Sequence, residues 1–330
     1  MPTIGVLAAI VVSFVIFTGF YTDWLWFTSV EKQQVYTISV VTRGLLFVGF
    51  GVLLAIIVLL ATWIAYRTRP AFPGSTPEQV SLERYRQAMD PYRGRILLAL
   101  TVIIGLFGGL TAAAEWGRFL QWRNSTQFGI VDPQFGIDLS FYVFELPFIK
   151  FVLGFGFTAI LLCIAIVVVV HYLYGGLRLQ PRGDRATRAA QAQLSLLVAM
   201  LLLLKSAAYW LDRYDLVLRS SDLAGGFTGL QYTDANAVLP ALNILTFVAL
   251  LVAFLFIINA FRGQWIIPLI GLGLMIITSV VVGGLYPLIV QQFQVRPSEL
   301  VRENPYIERN IEATRAAYNV DKTEIGRAHV

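Results

Sequence analysis

The sequence predicts an all-α protein, a polytopic membrane helical bundle of about seven transmembrane helices. Of its 330 residues, 57% are hydrophobic and only 14% are charged, whereas soluble proteins are about 45–50% apolar and about 25% charged. The mean hydropathy is +0.70, and a water-soluble fold of this size has no interior that could bury so much apolar surface. The excess lies in seven long runs, which indicates that the chain crosses a membrane repeatedly.

Each apolar run is long enough to span a bilayer, because about 20 mostly apolar residues in a helix cross about 30 Å of hydrocarbon. The runs lie at about 4–26, 44–65, 96–115, 148–173, 189–210, 239–260 and 265–289. None has the polar face, recurring every 3.6 residues, that a helix on the surface of a soluble protein shows. Trp24 and Trp26 end the first run and Trp265 starts the last, as expected at a membrane–water interface.

Lys and Arg residues are distributed unequally between the two sets of connecting segments. The denser set contains Arg67, Arg69, Arg84, Arg86, Arg93, Arg95, Arg178, Arg182, Arg185, Arg188 and Arg262. The sparser set contains Lys32, Arg43, Arg118, Arg123, Lys150, Arg213 and Arg219. Cytoplasmic loops carry the excess of positive charge, so we expect a plasma-membrane protein with its N-terminus inside and the region after the seventh run outside. The net charge of +5 then reflects orientation, and no nucleic-acid partner is expected.

Two connecting segments predict helices of their own. In the cytoplasmic segment 67–95, Thr76 is a candidate N-cap with Pro77 at the first helical position, and Asp90 precedes the proline that ends the helix. The outer segment 116–147 begins with a predicted amphipathic helix at the interface, followed by a packed re-entrant or surface loop. The residues of that helix expected to face lipid are Trp116, Phe119, Leu120 and Trp122.

Three charged residues near the outer ends of the spans form a candidate intramembrane polar cluster: Arg43, Glu115 and Lys205. Lys205 lies inside the fifth run, about six residues and so about 9 Å from its outer end. A charge at mid-membrane costs about 2.5–3.5 kcal/mol on insertion scales. One interpretation is a proton- or ion-linked cluster. The favoured interpretation is a structural Lys205–Glu115 pair or a lysine that extends its ammonium to the interface.

Other polar and small residues have structural interpretations. His171 is expected to pack at the inner interface, because a proton relay needs titratable partners at matching depth. The aspartates of segment 211–238 fit no EF-hand spacing and are expected to be solvated: Asp212, Asp215, Asp222 and Asp234. Glycines of the third and seventh runs favour close helix packing over a helix broken around a transport site. They are Gly105, Gly108, Gly109, Gly271, Gly273, Gly283 and Gly284.

No residue pattern specifies catalysis, a metal or a cofactor. Cys163 is the single cysteine, and the two histidines are His171 and His329, which excludes an internal disulfide, a thiolate metal cluster and a His-rich metal site. The chain has no nucleophile–base pair, zinc-protease motif, phosphate-binding loop or dinucleotide fingerprint. We therefore expect no cofactor and no catalytic residue.

Two stretches are more specific than ordinary membrane sequence. DPQFGIDLSFYVFELPF (132–148) and VRPSELVRENPYIERNIEATRAAYNV (295–320) resemble signature segments of uncharacterised protein family 0182, and YTDWLWF (21–27) also fits its first span. The resemblance covers residues 1–323. It implies a large bacterial membrane protein with about seven N-terminal spans, followed by a predominantly extracytoplasmic domain of several hundred residues. It implies no activity, cofactor or catalytic residue.

The region after the membrane domain (1–290) is predicted to start this external domain, over 291–323. Pro305 begins a predicted helix whose Ile307, Ile311 and Tyr318 recur at helical spacing and are expected to pack near the outer loops. The final residues, EIGRAHV (324–330), back-translate onto GAGATCGGAAGAGCACACGTC, which resembles a sequencing-library adapter. We therefore expect an artefactual ending and a natural chain that continues.

Three function classes are compatible with this organisation. The leading hypothesis is a membrane anchor for a large extracytoplasmic domain with a cell-envelope role, whose partners are the lipid bilayer and envelope components. The second is a transporter or channel that uses the spans around Lys205, although midplane polar residues are few. The third is a membrane-embedded lipid or envelope enzyme, for which no nucleophile or metal site is apparent.

Overall fold

The computed structural model describes residues 2–70, 83, 85–178, 186–220 and 228–320. The predicted helix start at Thr76 and Pro77, the aspartate Asp222 and the ending 324–330 lie outside these residues. The end of that predicted helix is described: residues 85–89 are helical, and a 3-10 turn follows at Asp90–Tyr92. Within them the chain is α-helical, with isolated β-bridges and no strand. The helices are α1 (Pro2–Ser29), α2 (Gln33–Arg67), α3 (Arg93–Ala114), α4 (Trp116–Arg123), α5 (Leu146–Leu173), α6 (Arg188–Asp215), α7 (Leu239–Arg262), α8 (Ile266–Val280), α9 (Tyr286–Ile289) and α10 (Glu299–Ala317).

Seven helical stretches are long and apolar enough to cross a membrane, which confirms the predicted class of helical bundle. They are Gly5–Ser29, Gln33–Arg67, Tyr85–Ala114, Phe141–Leu173, Arg188–Leu218, Asp234–Arg262 and Ile266–Ala317. Each contains most of one predicted apolar run. Several extend well beyond it, because polar residues at the ends of a run continue the helix outside the hydrocarbon layer.

The last stretch is 52 residues long, far more than one bilayer requires. It is interrupted by a 3-10 turn at Arg296–Ser298, where Ser298 leaves the helical region with φ −137° and ψ 41°. Helix α10 therefore begins at Glu299 and contains Pro305. The prediction that Pro305 begins this helix was wrong.

Four π-helical segments occur among the described residues, all from Phe141 onward, and each ends two residues before a proline. The segments are Phe141–Glu145, Asp234–Val238, Val281–Leu285 and Val290–Val295, and the prolines are Pro147, Pro240, Pro287 and Pro297. In each case the residue before the proline donates its N–H to the carbonyl five positions earlier, as Leu146 does to Phe141. A proline ring clashes with the carbonyl four residues before it, and a wider turn relieves that clash.

The chain divides into two compact units, of which the first comprises Met1–Leu59 and Tyr92–Thr126. Its α2 and α3 cross at glycines: a Cβ at Gly51 would lie 2.8 Å from the Gly105 carbonyl oxygen, and one at Gly109 would lie 2.6 Å from that of Phe47. A Cβ at Gly108 would lie 2.6 Å from Leu54 Cδ2. The prediction of close packing at the glycines of the third run is confirmed.

The second unit comprises Leu60–Pro91 and Gln127–Val330. Its core joins α6, α7 and α8 through buried residues: Ala199, Leu202, Tyr209, Leu245, Ala249, Val252, Ala253, Phe256 and Met275. Buried interhelical hydrogen bonds fix α6 against α7, from Asn259 Nδ2 to Ser195 Oγ at 2.7 Å and from Ser206 Oγ to the Thr246 carbonyl at 3.0 Å. Such bonds and small residues are what hold helices together in lipid.

The glycines of the seventh run only partly fulfil the prediction of close packing. Hypothetical Cβ atoms at Gly271 and Gly283 would lie 3.0 and 3.1 Å from leucine side chains of α7. Gly273 and Gly284 have no atom that close, since a Cβ there would meet nothing within 4 Å. For these two the prediction was wrong.

Candidate functional site

The three residues of the predicted polar cluster lie in different units: Arg43 and Glu115 in the first, Lys205 in the second. The guanidinium of Arg43 lies over the Trp116 ring, with its Cζ 4.7 Å from the centroid. Glu115 pairs with Arg118 at 2.8 Å. The predicted Lys205–Glu115 pair stays a prediction.

Lys205 lies half-buried on α6, and its ammonium is 4.2 Å from the centroid of the Tyr209 ring. The Tyr209 hydroxyl in turn meets Ser279 Oγ of α8 at 3.3 Å. A cation over an aromatic face is stabilised by the ring quadrupole, so this contact helps to accommodate the charge within an apolar helix.

The densest set of polar contacts lies at the other end of the bundle from His171, in segments that we call the loop assembly (residues 127–145, 210–220, 228–238 and 290–310). Its first segment contains a tight turn built on Asp132. The buried carboxylate of Asp132 accepts the N–H groups of Gln134 and Phe135 at 3.2 and 2.7 Å, and the Tyr142 hydroxyl at 3.3 Å. An aspartate before a proline forms such side-chain turns, so this signal was present in the sequence.

Asp138 closes the same segment from its other end. Its carboxylate accepts backbone N–H groups from Phe128, Gly129 and Ser140 at 3.0, 2.8 and 2.8 Å. Hydrogen bonds from Ser140, followed by those from Phe128 and Gly129, lower the pKa of Asp138 to about 2, because they favour the charged form. Residues 132–140, the part of the family-like stretch before the fourth span, therefore form a loop that hydrogen bonds hold in place.

Aromatic rings connect this loop to the end of α6. The Tyr214 ring meets the rings of Phe135 and Phe141 edge to face, at centroid distances of 5.1 and 5.3 Å. Arg213 lies 4.0 Å from the centroid of the Trp210 ring. Lys150 of α5 forms an ion pair with Asp215, so the loop, α5 and α6 are joined at one level.

Helix α10 packs onto the segment 228–236 through one face. Glu303, only 2% exposed, accepts the Tyr232 N–H at 3.0 Å. The Tyr306 hydroxyl accepts from Asn236 at 3.3 Å, and Asn310 donates to the Thr228 carbonyl at 2.7 Å. These residues are three or four positions apart, and so share a helix face.

One further contact attaches α10, and two others fix the segments on which it packs. Arg302 donates to the Tyr232 hydroxyl at 2.8 Å, and Thr233 donates to the Gln291 side chain. Asp234, 3% exposed, accepts from Arg219 at 2.7 Å. Every one of these buried acids is met by a donor, as buried charges require.

Several sequence predictions need correction here. Asp234 is buried and paired, so the prediction of a solvated aspartate was wrong. The packed face of α10 consists mainly of polar and aromatic residues, whereas Ile311 and Tyr318 are exposed. All four apolar residues of α4 were expected to face lipid. Trp122 is exposed, but Trp116, Phe119 and Leu120 are partly covered by the protein. Hydrophobic periodicity identified the apolar face without showing that the protein covers it.

His171, at the opposite end of α5, is buried and packed, as predicted. Its Nε2 lies 2.9 Å from Gln193 Oε1, and Gln193 Nε2 donates to the Ala61 carbonyl at 2.8 Å. The histidine therefore ties α5 to α6 and to the end of α2. No sequence signal marked Gln193.

The polar contacts of the loop assembly have a structural role, because they hold its segments together. Five of its carboxylates accept from N–H donors, a hydroxyl or cations, as described above: Asp132, Asp138, Asp215, Asp234 and Glu303. Among the residues that the structure describes, no group of three or more His, Cys, Asp or Glu side chains is placed to hold a metal ion. The arrangement is suited to holding α10 in a fixed position at the end of the bundle.

Comparison with known proteins gives a consistent family assignment. A family model described as "Uncharacterised protein family (UPF0182)" matches residues 1–329. The chain is 46% identical over 325 residues to a UPF0182 protein of Streptomyces coelicolor, and 48% identical over 324 residues to one of Frankia casuarinae. Each alignment covers 98% of this chain and 32% of the relative, so the chain spans about a third of their length. No solved structure matches.

Proposed function

The chain belongs to the uncharacterised protein family UPF0182, and on that premise we propose that it is the membrane anchor of a larger cell-envelope protein. In this proposal residues 1–290 lie in the bacterial plasma membrane, with the N-terminus inside and α10 outside. The remaining two-thirds of the longer protein forms an extracytoplasmic domain that acts on envelope components.

The observation that carries the proposal is the attachment of α10 to the loop assembly. A helix that follows the last span and is fixed by Glu303, Tyr306 and Asn310 gives any following domain a defined direction. A simple tether would need none of these polar contacts, because a flexible linker connects domains without them. The uneven distribution of Lys and Arg supports the orientation.

The proposal is tested by complementation in Streptomyces coelicolor, with its relative deleted. The full-length relative should restore resistance to envelope stress from detergent and lysozyme. The region aligned to residues 1–320 should insert but fail to complement, whereas the remainder fused to an unrelated outward-facing membrane anchor should restore resistance at least in part. Full complementation by the aligned region alone would contradict the proposal.

A second candidate function is transport. It is favoured by one observation, the polar connection of Lys205, Tyr209 and Ser279 between α6 and α8, because polar groups inside spans often mark substrate or ion pathways. Solute flux in proteoliposomes that disappears in the variant Lys205→Ala, with insertion unchanged, would support transport. Flux that is absent from the full-length protein would eliminate it.

A further inference from the structure

Two arginines near α4, in the first unit, lack an acidic partner. The carboxylate next to them, Glu115, is engaged by Arg118 at 2.8 Å. Arg43 and Arg123 are exposed, and within the described part of the chain neither forms an ion pair. Their charges are therefore available to an external anion.

Aromatic rings place these arginines at the level of lipid headgroups. Arg43 stacks on Trp116 at 4.7 Å, and Trp122 is 41% exposed. Tryptophan is enriched where the hydrocarbon layer meets the headgroups. Arg123 follows Trp116 by seven residues, which places it on the same face of α4, about 10 Å along the helix axis.

The guanidinium of Arg43 is accessible to phosphate, because the residue is exposed although its Cζ lies over the Trp116 ring. Arginine presents a planar set of N–H donors that binds phosphate oxygens in pairs. The exposed Trp122 ring of α4 supplies apolar surface for the start of an acyl chain.

From these contacts we infer that Arg43 and Arg123 bind the phosphate group of an anionic membrane lipid against α4. The site is independent of the proposed anchor function and lies within one compact unit. Free phosphate shares the charge but gains nothing from the exposed Trp122 ring, so the lipid is the expected ligand.

The test uses the full chain purified in a neutral detergent and titrated with phosphatidylglycerol, with bound lipid counted by native mass spectrometry. Each basic residue near an anionic surface contributes about 1 kcal/mol, a factor of about five in affinity. Arg43→Gln and Arg123→Gln should each weaken binding about fivefold, and the double variant about 30-fold. Arg43→Lys should bind less tightly than the wild type, because an ammonium cannot bind phosphate in pairs.

Arg309→Gln is the matched control. Arg309 is also stacked on an aromatic ring, at 5.6 Å from Tyr306, but it lies on α10, beyond the apolar spans. This variant should bind phosphatidylglycerol as the wild type does. Unchanged thermal unfolding of the arginine variants in neutral detergent establishes that they are folded.

Two outcomes would overturn the inference. Equal affinity of the double variant and the wild type would show that these arginines do not hold the lipid. Displacement of phosphatidylglycerol by equimolar inorganic phosphate would show a site for soluble anions. Phosphatidylcholine, which carries a phosphate but no net charge, should bind more weakly than phosphatidylglycerol.

Discussion

At the residue scale, the loop assembly depends on carboxylates that accept hydrogen bonds from the backbone. Asp132 and Asp138 close one loop in this way, and Glu303 attaches α10. Hydrogen bonds to charged groups are stronger than those between neutral groups. Loss of one of these acids should therefore loosen one segment and leave the apolar helices intact.

Asp138 gives a pH-dependent prediction. Its pKa is about 2 in the folded loop, against an ordinary value of 3.8, so the loop is stabilised above about pH 4 and loses this stabilisation as the pH falls towards about 2. The variant Asp138→Asn should be cleaved by pepsin within 127–140 faster than the wild type at pH 4, with the two rates converging near pH 2. A ratio of variant to wild-type cleavage rates that does not change with pH would contradict the lowered pKa of Asp138.

Glu303 gives a second prediction. Glu303→Ala leaves the Tyr232 N–H without its acceptor, at a cost of about 1–3 kcal/mol, so amide hydrogens of α10 should exchange faster by about one to two orders of magnitude. Glu312→Ala, which alters an exposed residue of the same helix, should leave exchange unchanged. Equal protection in both variants would show that Glu303 does not hold the helix.

Few of these residues could be identified from the sequence. The turn at Asp132 has a local signal, because the aspartate precedes a proline. Glu303 and Asp234 have none, since they resemble solvated acids until the segments that cover them are known. Burial of a polar residue depends on tertiary contacts, which hydropathy does not report.

At the element scale, the glycine crossing of α2 and α3 allows the two backbones to approach closely. Gly51→Ala would place a Cβ 2.8 Å from the Gly105 carbonyl oxygen, and overpacking of this kind costs about 1–3 kcal/mol. Gly49→Ala is a matched control on the same helix, where a Cβ would meet nothing within 4 Å. The free energy of unfolding in detergent micelles should fall for the first variant only; equal values would refute close packing here.

The π-helical segments show what hydropathy alone leaves out. The apolar runs correctly predicted helices, and the prolines near their ends were visible. The widened turn before Pro147 follows from the proline clash, but the choice between widening, kinking and ending the helix depends on the neighbouring packing. Pro305, which the sequence indicated as a helix start, lies inside α10.

At the scale of the whole molecule, composition and run length were sufficient to predict the helical bundle. The prediction succeeded because the hydrocarbon layer imposes one length and one polarity on every spanning helix. Which loops pack together was not predictable, since loop contacts depend on side-chain hydrogen bonds rather than on periodicity. The loop assembly therefore emerged only from the three-dimensional structure.

The most direct test of the proposed anchor function is to determine on which side of the membrane α10 lies. Single cysteines at Thr314 on α10 and at Thr68 after α2, in a Cys163→Ala background, are treated with a membrane-impermeant maleimide in intact and in lysed cells. If α10 is extracytoplasmic, Thr314→Cys is labelled in intact cells and Thr68→Cys only after lysis. Labelling of Thr68→Cys but not Thr314→Cys in intact cells would reverse the topology and contradict an extracytoplasmic anchor function.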